Sequence, residues 1–200
     1  RDGYLFPIRV MTEDQAAELR AAIDEHLNNQ LRSERYELTD PVVIRRVDRQ
    51  GTSILEYDEE DASTVPTTFP FLFNLWKYDE RFRAAGRNQV LARIAAQILG
   101  SSDLLLMEDN AVVKNPHTGV LSWHQDYSYW PLASPAIATA WVALDHISVD
   151  NGGMQVVPGS HRWGEYLPVS FGDSSALMGD ERPGVPELTQ DPAADGYPVI

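Results

Sequence analysis

The chain contains no cysteine, and its 16 Lys and Arg are heavily outnumbered by 30 Asp and Glu. The first absence excludes disulfides and every thiolate-ligated zinc or iron–sulfur centre, and leaves the redox compartment open. The shortage of cations leaves a net charge of −14. That charge argues against a nucleic-acid partner, because phosphate backbones are held mainly through Lys and Arg. No apolar run is long enough to span a bilayer, so no membrane partner is expected. No signal-peptide pattern opens the chain, which makes the cytoplasm the expected compartment. Neither an internal repeat nor a second domain is visible, and nothing bears on oligomeric state. What is present is ordinary globular composition, 43% hydrophobic and 23% charged over 200 residues. That length suits a single domain burying about 70% of the surface its unfolded chain exposes, with no need of a structural metal.

Local patterns divide the chain. Thr12 and Gln15 have the spacing of a capping box, and Ala16, Leu19, Ile23 and Leu27 recur on one face of the helix that follows. Residues 42–47 and 52–57 predict a hairpin about Arg49-Gln50-Gly51. Asp58-Glu59-Glu60-Asp61 reads as a solvated acidic loop. Residues 69–76, aromatic and interrupted by Pro70, read as an irregular lid or pocket wall. Asp79 is placed to cap a short helix ending near Gly86, and residues 88–99 predict an apolar helix closed by Gly100. Residues 104–114 read as a buried strand. Residues 136–147 read as a long strand, followed by a hairpin turn at Asp150-Asn151-Gly152-Gly153. Residues 172–198, rich in Gly, Pro, Asp and Ser without periodicity, predict a long loop or lid.

The stretch with the most chemistry is Trp123-His124-Gln125-Asp126, followed by Tyr127, Tyr129 and Trp130. On an extended strand, side chains two positions apart share a face, so His124 and Asp126 can reach one ion. A nitrogen and an oxygen donor without thiolate suit a borderline cation, and two histidines with one carboxylate form the usual facial site of non-haem Fe(II). The other reading of an isolated His-x-Asp is a hydrogen-bonded pair at a strand end. A lysine such as Lys114, leaving a strand just before this stretch, is suited to a carboxylate partner, or is a surface charge. His26, His117, His146 and His161 read as structural.

Beyond these local readings, the run from Trp141-Val142-Ala143-Leu144-Asp145 through Asp150-Asn151-Gly152-Gly153 to Pro158-Gly159-Ser160-His161 resembles the phytanoyl-CoA dioxygenase family. So do Lys114-Asn115-Pro116-His117-Thr118-Gly119 leading into the His124 stretch, and the opening Asp2-Gly3-Tyr4-Leu5 before a helix. The resemblance covers nearly the whole chain and is strongest over residues 107–164. It implies a mainly β fold with flanking helices, the double-stranded β-helix or jelly roll of cupin type, and an oxygenase using Fe(II), 2-oxoglutarate and dioxygen. It also implies His124 and Asp126 as metal ligands. Met107, Lys114, Gln125 and Trp141 are then expected beside the co-substrate, with Tyr127, Tyr129 and Trp130 shaping the pocket of a small-molecule substrate. In that setting the second ring nitrogen of His124 is expected to meet an acceptor. The expected reaction is hydroxylation or another oxidation of an aliphatic C–H, in natural-product or amino-acid metabolism. Coenzyme A binding has no counterpart among these residues. A halogenase of the same fold is the first alternative, and Asp126 argues against it because such enzymes carry a small residue in place of the carboxylate. A non-catalytic jelly-roll binding protein is the second. The family's distal metal histidine and its arginine for 2-oxoglutarate have no counterpart in the sequence. The jelly roll is therefore expected to be incomplete at the C-terminus, with the natural chain continuing past Ile200 to supply both, and with residues also lost before Arg1.

Overall fold

A computed structural model describes residues 1–32, 44–47, 53–54, 69–116, 121–130, 132–168 and 188–200. The first helix, α1 (Glu13–Arg32), begins at the capping box read from the sequence. The Gln15 N–H donates to Thr12 Oγ1 at 3.2 Å, and the Thr12 N–H donates to Gln15 Oε1 at 2.9 Å. Glu13 and Asp14 place negative charge on the first turn, where the helix dipole favours it. Leu19, Ala22 and Ile23 are buried on one face, and Leu27 packs beside them.

That face meets an antiparallel sheet of β1 (Ile44–Val47), β2 (Ser53–Ile54), β3 (Phe69–Phe73) and β4 (Asn110–Val112), in the order β2-β1-β3-β4. Arg46 lies opposite Ile54 on one side and Pro70 on the other, and Leu72 lies between Ile44 and Ala111. The irregular wall expected over residues 69–76 is thus corrected: its first five residues are an inner strand. Proline is tolerated at position 70 because β4 pairs only with Phe71–Phe73, so that Pro70 is flanked on one side alone. Leu72 and Leu75 are fully enclosed with Phe82 beneath α1. Burial on that scale stabilises by about 1.5–3 kcal/mol per leucine.

The predicted hairpin is present as the β1–β2 pairing. Its turn, residues 48–52, and the acidic loop 58–61 lie outside the described residues, as does His117. The strand expected over residues 104–114 shrinks to the three residues of β4, and Leu105 is 96% exposed. Residues 136–147 have no ladder partner among the described residues. Both differences have one cause, since β-propensity becomes a strand only where a neighbour supplies the hydrogen bonds. The turn after residue 147 is a 3-10 turn, Val149–Asn151, closed by the Gly153 N–H donating to the Ser148 carbonyl at 2.8 Å and the Ser148 N–H donating to Asn151 Oδ1 at 2.7 Å. The hairpin expected there is not formed among the described residues, because the flanking segments do not pair. The second sheet that a jelly roll requires is not among the described residues.

Two further helices follow β3. In α2 (Glu80–Gly86) the Asp79 side chain accepts from the Arg81 N–H at 2.9 Å. In α3 (Gln89–Leu99) Asn88 Oδ1 accepts from Val90 and Leu91, and Gly100 closes the end in the left-handed region. Asn88 also donates to the Val10 carbonyl at 2.6 Å, tying down the N-terminal arm. Further along, the Asp2 carbonyl accepts from Gly159 at 2.7 Å. Gly3, at φ +88°, lies so close to His161 that a Cβ would collide with its ring. Of the expected lid, residues 188–198 are docked instead: Leu188 and Pro192 are buried, and the neighbouring Ile200 exchanges two backbone hydrogen bonds with Val156 at 2.9 and 3.1 Å. No helix among the described residues is long and apolar enough to cross a membrane.

Asp79 joins α1 to α2. Its carboxylate accepts from Arg81 Nη2 at 2.7 Å and meets His26 Nε2 at 2.9 Å, while Arg81 also reaches Glu25 at 2.7 Å. The Arg81 guanidinium holds the Asp79 carboxyl well below the usual carboxylate range, against the opposing effect of burial. A carboxyl so depressed stabilises the fold above its unfolded-state pKa of about 3.9, and that stabilisation is lost as pH falls further. Asp79→Ala is therefore expected to cost about 2 kcal/mol at neutral pH. Thermal unfolding of both proteins across pH is expected to show the gap narrowing in acid below about pH 4. A gap independent of pH would show that the charge of Asp79 is not what stabilises the junction.

Candidate metal centre

The β3–β4 pairing delivers the chain to Lys114, and the described residues resume at Leu121 on the approach to His124. Gln125 is extended, with φ −116° and ψ 130°. An extended residue sends its two neighbours to the same side, so His124 and Asp126 converge although no ladder holds them. Nε2 of His124 stands 3.3 Å from Asp126 Oδ1. Nδ1 of His124 lies 2.7 Å from the Ser122 carbonyl. A carbonyl only accepts, so Nδ1 carries a hydrogen, and Nε2 is the nitrogen turned to Asp126, donating to its carboxylate when the ring is protonated and presenting a lone pair once that proton is lost. Asp126 begins a 3-10 turn, Asp126–Tyr129, and its Oδ2 accepts from the Thr139 hydroxyl at 2.7 Å.

These atoms fit a metal ion. Adjacent ligands of an octahedral ion with bonds of about 2.1 Å stand about 3.0 Å apart, close to the observed separation. The electrostatics also keep the pair together. Burial penalises the charged His124 ring, but the hydrogen bonds with Asp126 and the Ser122 carbonyl outweigh it and raise its pKa. The hydrogen bond with His124 lowers that of Asp126, burial opposes the shift, and Thr139 adds to it. Among the described residues no group of three or more His, Asp and Glu is assembled for a metal, so the pair offers two donor atoms and no third.

The other expected residues fall into two groups. Lys114 is half-buried, its Nζ donates to the Gly152 carbonyl at 3.1 Å, and burial lowers its pKa. Gly152 has φ +93°, and a Cβ there would press on the Lys114 stem at 2.7 Å. Tyr129 meets the His124 ring edge-on, with centroids 5.7 Å apart. Met107 and Trp141 are 40% and 46% exposed. The remaining three are tied to the scaffold. Gln125 uses both ends of its amide on the backbone, donating one N–H to the Gly164 carbonyl at 2.8 Å and accepting from the Tyr166 N–H at 3.0 Å. Its expected place beside the co-substrate draws no support from that arrangement. Tyr127 donates to the Leu132 carbonyl at 3.0 Å, and the Trp130 indole donates to Glu108 at 3.0 Å.

Sequence reasoning missed Ser122, Glu108, Thr139 and Gln190. Gln190 Oε1 accepts from the Trp123 N–H at 2.7 Å, from 67 positions away in an aperiodic stretch with no signal to mark it. Thr139 had one faint signal, its period-two spacing from Trp141.

The chain belongs to the phytanoyl-CoA dioxygenase family, whose family model matches residues 1–186. Among curated proteins it is similar to an ectoine dioxygenase of Streptomyces coelicolor, 29% identical over 81% of this chain and 48% of that protein. It is also similar to an L-proline trans-4-hydroxylase of Streptomyces griseoviridis, 28% identical over 53% of this chain and 40% of that protein. A probable phytanoyl-CoA dioxygenase of Caenorhabditis elegans is 40% identical over 57% of this chain and 36% of that protein. The chain spans about half the length of the ectoine dioxygenase, and no solved structure matches it.

The two hydrogen bonds of Gln125 separate a scaffold role from contact with the co-substrate. Gln125→Ala is expected to lower unfolding stability by about 1–3 kcal/mol, because it orphans the backbone N–H of the buried Tyr166. Denaturant unfolding measures this directly. Unchanged stability together with weakened 2-oxoglutarate binding would return Gln125 to the co-substrate.

Proposed function

We propose that the protein is an Fe(II)- and 2-oxoglutarate-dependent oxygenase of jelly-roll fold that hydroxylates or otherwise oxidises an aliphatic C–H of a small molecule, in natural-product or amino-acid metabolism. The observation that carries this reading is the convergence of His124 Nε2 and Asp126 Oδ1 at 3.3 Å in a chain of this family. Relatives named for ectoine and for L-proline support a small-molecule substrate.

His124 and Asp126 would hold the iron through Nε2 and Oδ1. When bound with 2-oxoglutarate and dioxygen, the metal supplies the oxidising chemistry, which the protein orients rather than performs. The Ser122 carbonyl holds a hydrogen on Nδ1 of His124, which leaves Nε2 as the nitrogen for the ion, in place of a proton shared with Asp126. Among the described residues Lys114 has one neutral hydrogen-bond partner, the Gly152 carbonyl, and no carboxylate, which suits it to the anionic co-substrate. Trp141 and Met107 offer an exposed indole and thioether as walls beside that co-substrate. Tyr129 limits the space around His124, and Tyr127 and Trp130, anchored through their polar ends, shape the substrate side. Asp126 keeps an oxygen donor where a halogenase needs a vacancy for halide.

Anaerobic titration of the full-length protein with Fe(II) and then 2-oxoglutarate is expected to produce the weak visible charge-transfer band of the chelate. Failure to take up iron would favour a non-catalytic binding protein. Asp126→Ala and His124→Ala are expected to reduce product formation at least a hundredfold, consistent with loss of about 3 kcal/mol or more of transition-state stabilisation. Product formed at the unmodified rate would remove either residue from the ligand set. Lys114→Ala and Trp141→Ala are expected to raise the 2-oxoglutarate requirement while leaving iron affinity nearly intact. An unchanged co-substrate requirement would make the residue in question structural.

A further inference from the structure

We propose that Thr139 is a positioning residue for the metal carboxylate, its hydroxyl holding Asp126 so that Oδ1 alone is presented to the ion. The inference rests on the reading of His124 and Asp126 as ligands. A carboxylate turns easily about its terminal torsion, which is broad and roughly two-fold. Left to itself it can offer either oxygen, or both, and two-point binding would consume a second coordination position. In this structure the two oxygens have different partners: Oδ1 faces His124 Nε2 at 3.3 Å, and Oδ2 accepts from Thr139 Oγ1 at 2.7 Å. The hydroxyl has one proton to donate, and it is given to the oxygen that points away from the histidine.

The choice of a hydroxyl also matters electrostatically. Among the described residues Asp126 has no ion pair with Lys or Arg, and its only charged neighbour is His124. A guanidinium or ammonium in the place of Thr139 would fix the carboxylate equally well but would neutralise the charge that retains a divalent cation. A neutral donor orients without competing. Threonine is better suited than a flexible side chain because its β-branch restricts χ1, so less freedom is lost in keeping the bond. Thr139 lies 13 positions after Asp126 and two before Trp141, so one extended segment would serve both the metal carboxylate and the co-substrate wall.

The test uses the full-length protein and Co(II) alone, an air-tolerant probe followed by its visible d–d absorption. Four proteins are compared: unmodified, Thr139→Val, Thr139→Ser and Asp126→Ala. Valine matches the shape of threonine and removes the hydroxyl, whereas serine restores it. Thr139→Val is expected to bind Co(II) about tenfold more weakly, the lower range for loss of an outer-shell partner. Thr139→Ser is expected to recover to within about threefold of the unmodified protein, and Asp126→Ala to lose binding by a larger factor. Thr139 is exposed, so thermal midpoints of both Thr139 variants are expected to match the unmodified protein. Thr139→Val binding Co(II) at full affinity while Asp126→Ala has lost it would overturn the positioning role and leave the ligand assignment standing. Serine as weak as valine would overturn it too, because the hydroxyl would not be the cause. Full Co(II) affinity in Asp126→Ala would instead remove the ligand reading, and the role of Thr139 with it.

Discussion

Enclosure of Leu72 and Leu75 beneath α1 is the constraint on which the described architecture depends. Leu72 is the fourth of the five residues of β3, and burying it against Leu19, Ala22 and Ile23 sets the face that the strand turns toward α1. Slipping the strand by one residue would turn every inward side chain outward, so that face also fixes the register with β1 and β4. The end of β4 in turn determines where the chain leaves the sheet toward Lys114. The site is therefore positioned by a hydrophobic choice made some fifty residues before His124, and no residue of that core takes part in the chemistry.

Around the core, polar groups are used as joints. Asp79 fastens α2 to α1 through Arg81 and His26, and the half-buried Asp109 accepts from the Trp76 N–H where β3 leaves the sheet. Burial raises the pKa of Asp109, whereas the neighbouring guanidinium depresses that of Asp79. The same residue type is thus driven in opposite directions by the absence or presence of a cation. The candidate metal centre uses a third arrangement. Asp126 is paired with a titratable ring and a neutral hydroxyl, so its charge remains available to an incoming ion.

The scaffold around that centre is assembled from distant segments. Gln190 holds the backbone of Trp123 from one side, and Gln125 holds the backbone of Gly164 and Tyr166 from the other. Both glutamines use their amides as two-sided clips in a region whose strand pairing is limited to single bridge residues at Tyr166 and Leu188. The family's chemistry requires donors at fixed places, and here short polar contacts supply some of the rigidity that strands would otherwise give. Gly152 adds a steric counterpart, since its missing side chain leaves room for the Lys114 stem and its carbonyl receives the ammonium.

Much of this was legible one stretch at a time. The capping box at Thr12 and Gln15, the cap at Asp79, the stop at Gly100 and the apolar stripe of α1 depend on residues within a turn or two, and each appears as the spacing predicted, whereas Asn88, expected as the first residue of its helix, is the cap before it. The convergence of His124 and Asp126 was legible for the same reason, needing only one extended residue between them. Family membership was readable from the run after the His124 stretch. What could not be read locally was pairing. Residues 69–73 became an inner strand despite Pro70 because neighbours were available on both sides of Phe71, whereas residues 104–109, apolar but without a β-branched or aromatic side chain, and residues 136–147, with several, have no ladder among the described residues. The same limit hid Thr139, Gln190 and the contacts of Gln125 with the backbone of residues 164–166. Caps and periodicities are satisfied by atoms a few bonds apart, whereas a strand partner or a hydroxyl for a carboxylate is chosen only when burial of the core brings distant segments within hydrogen-bonding reach.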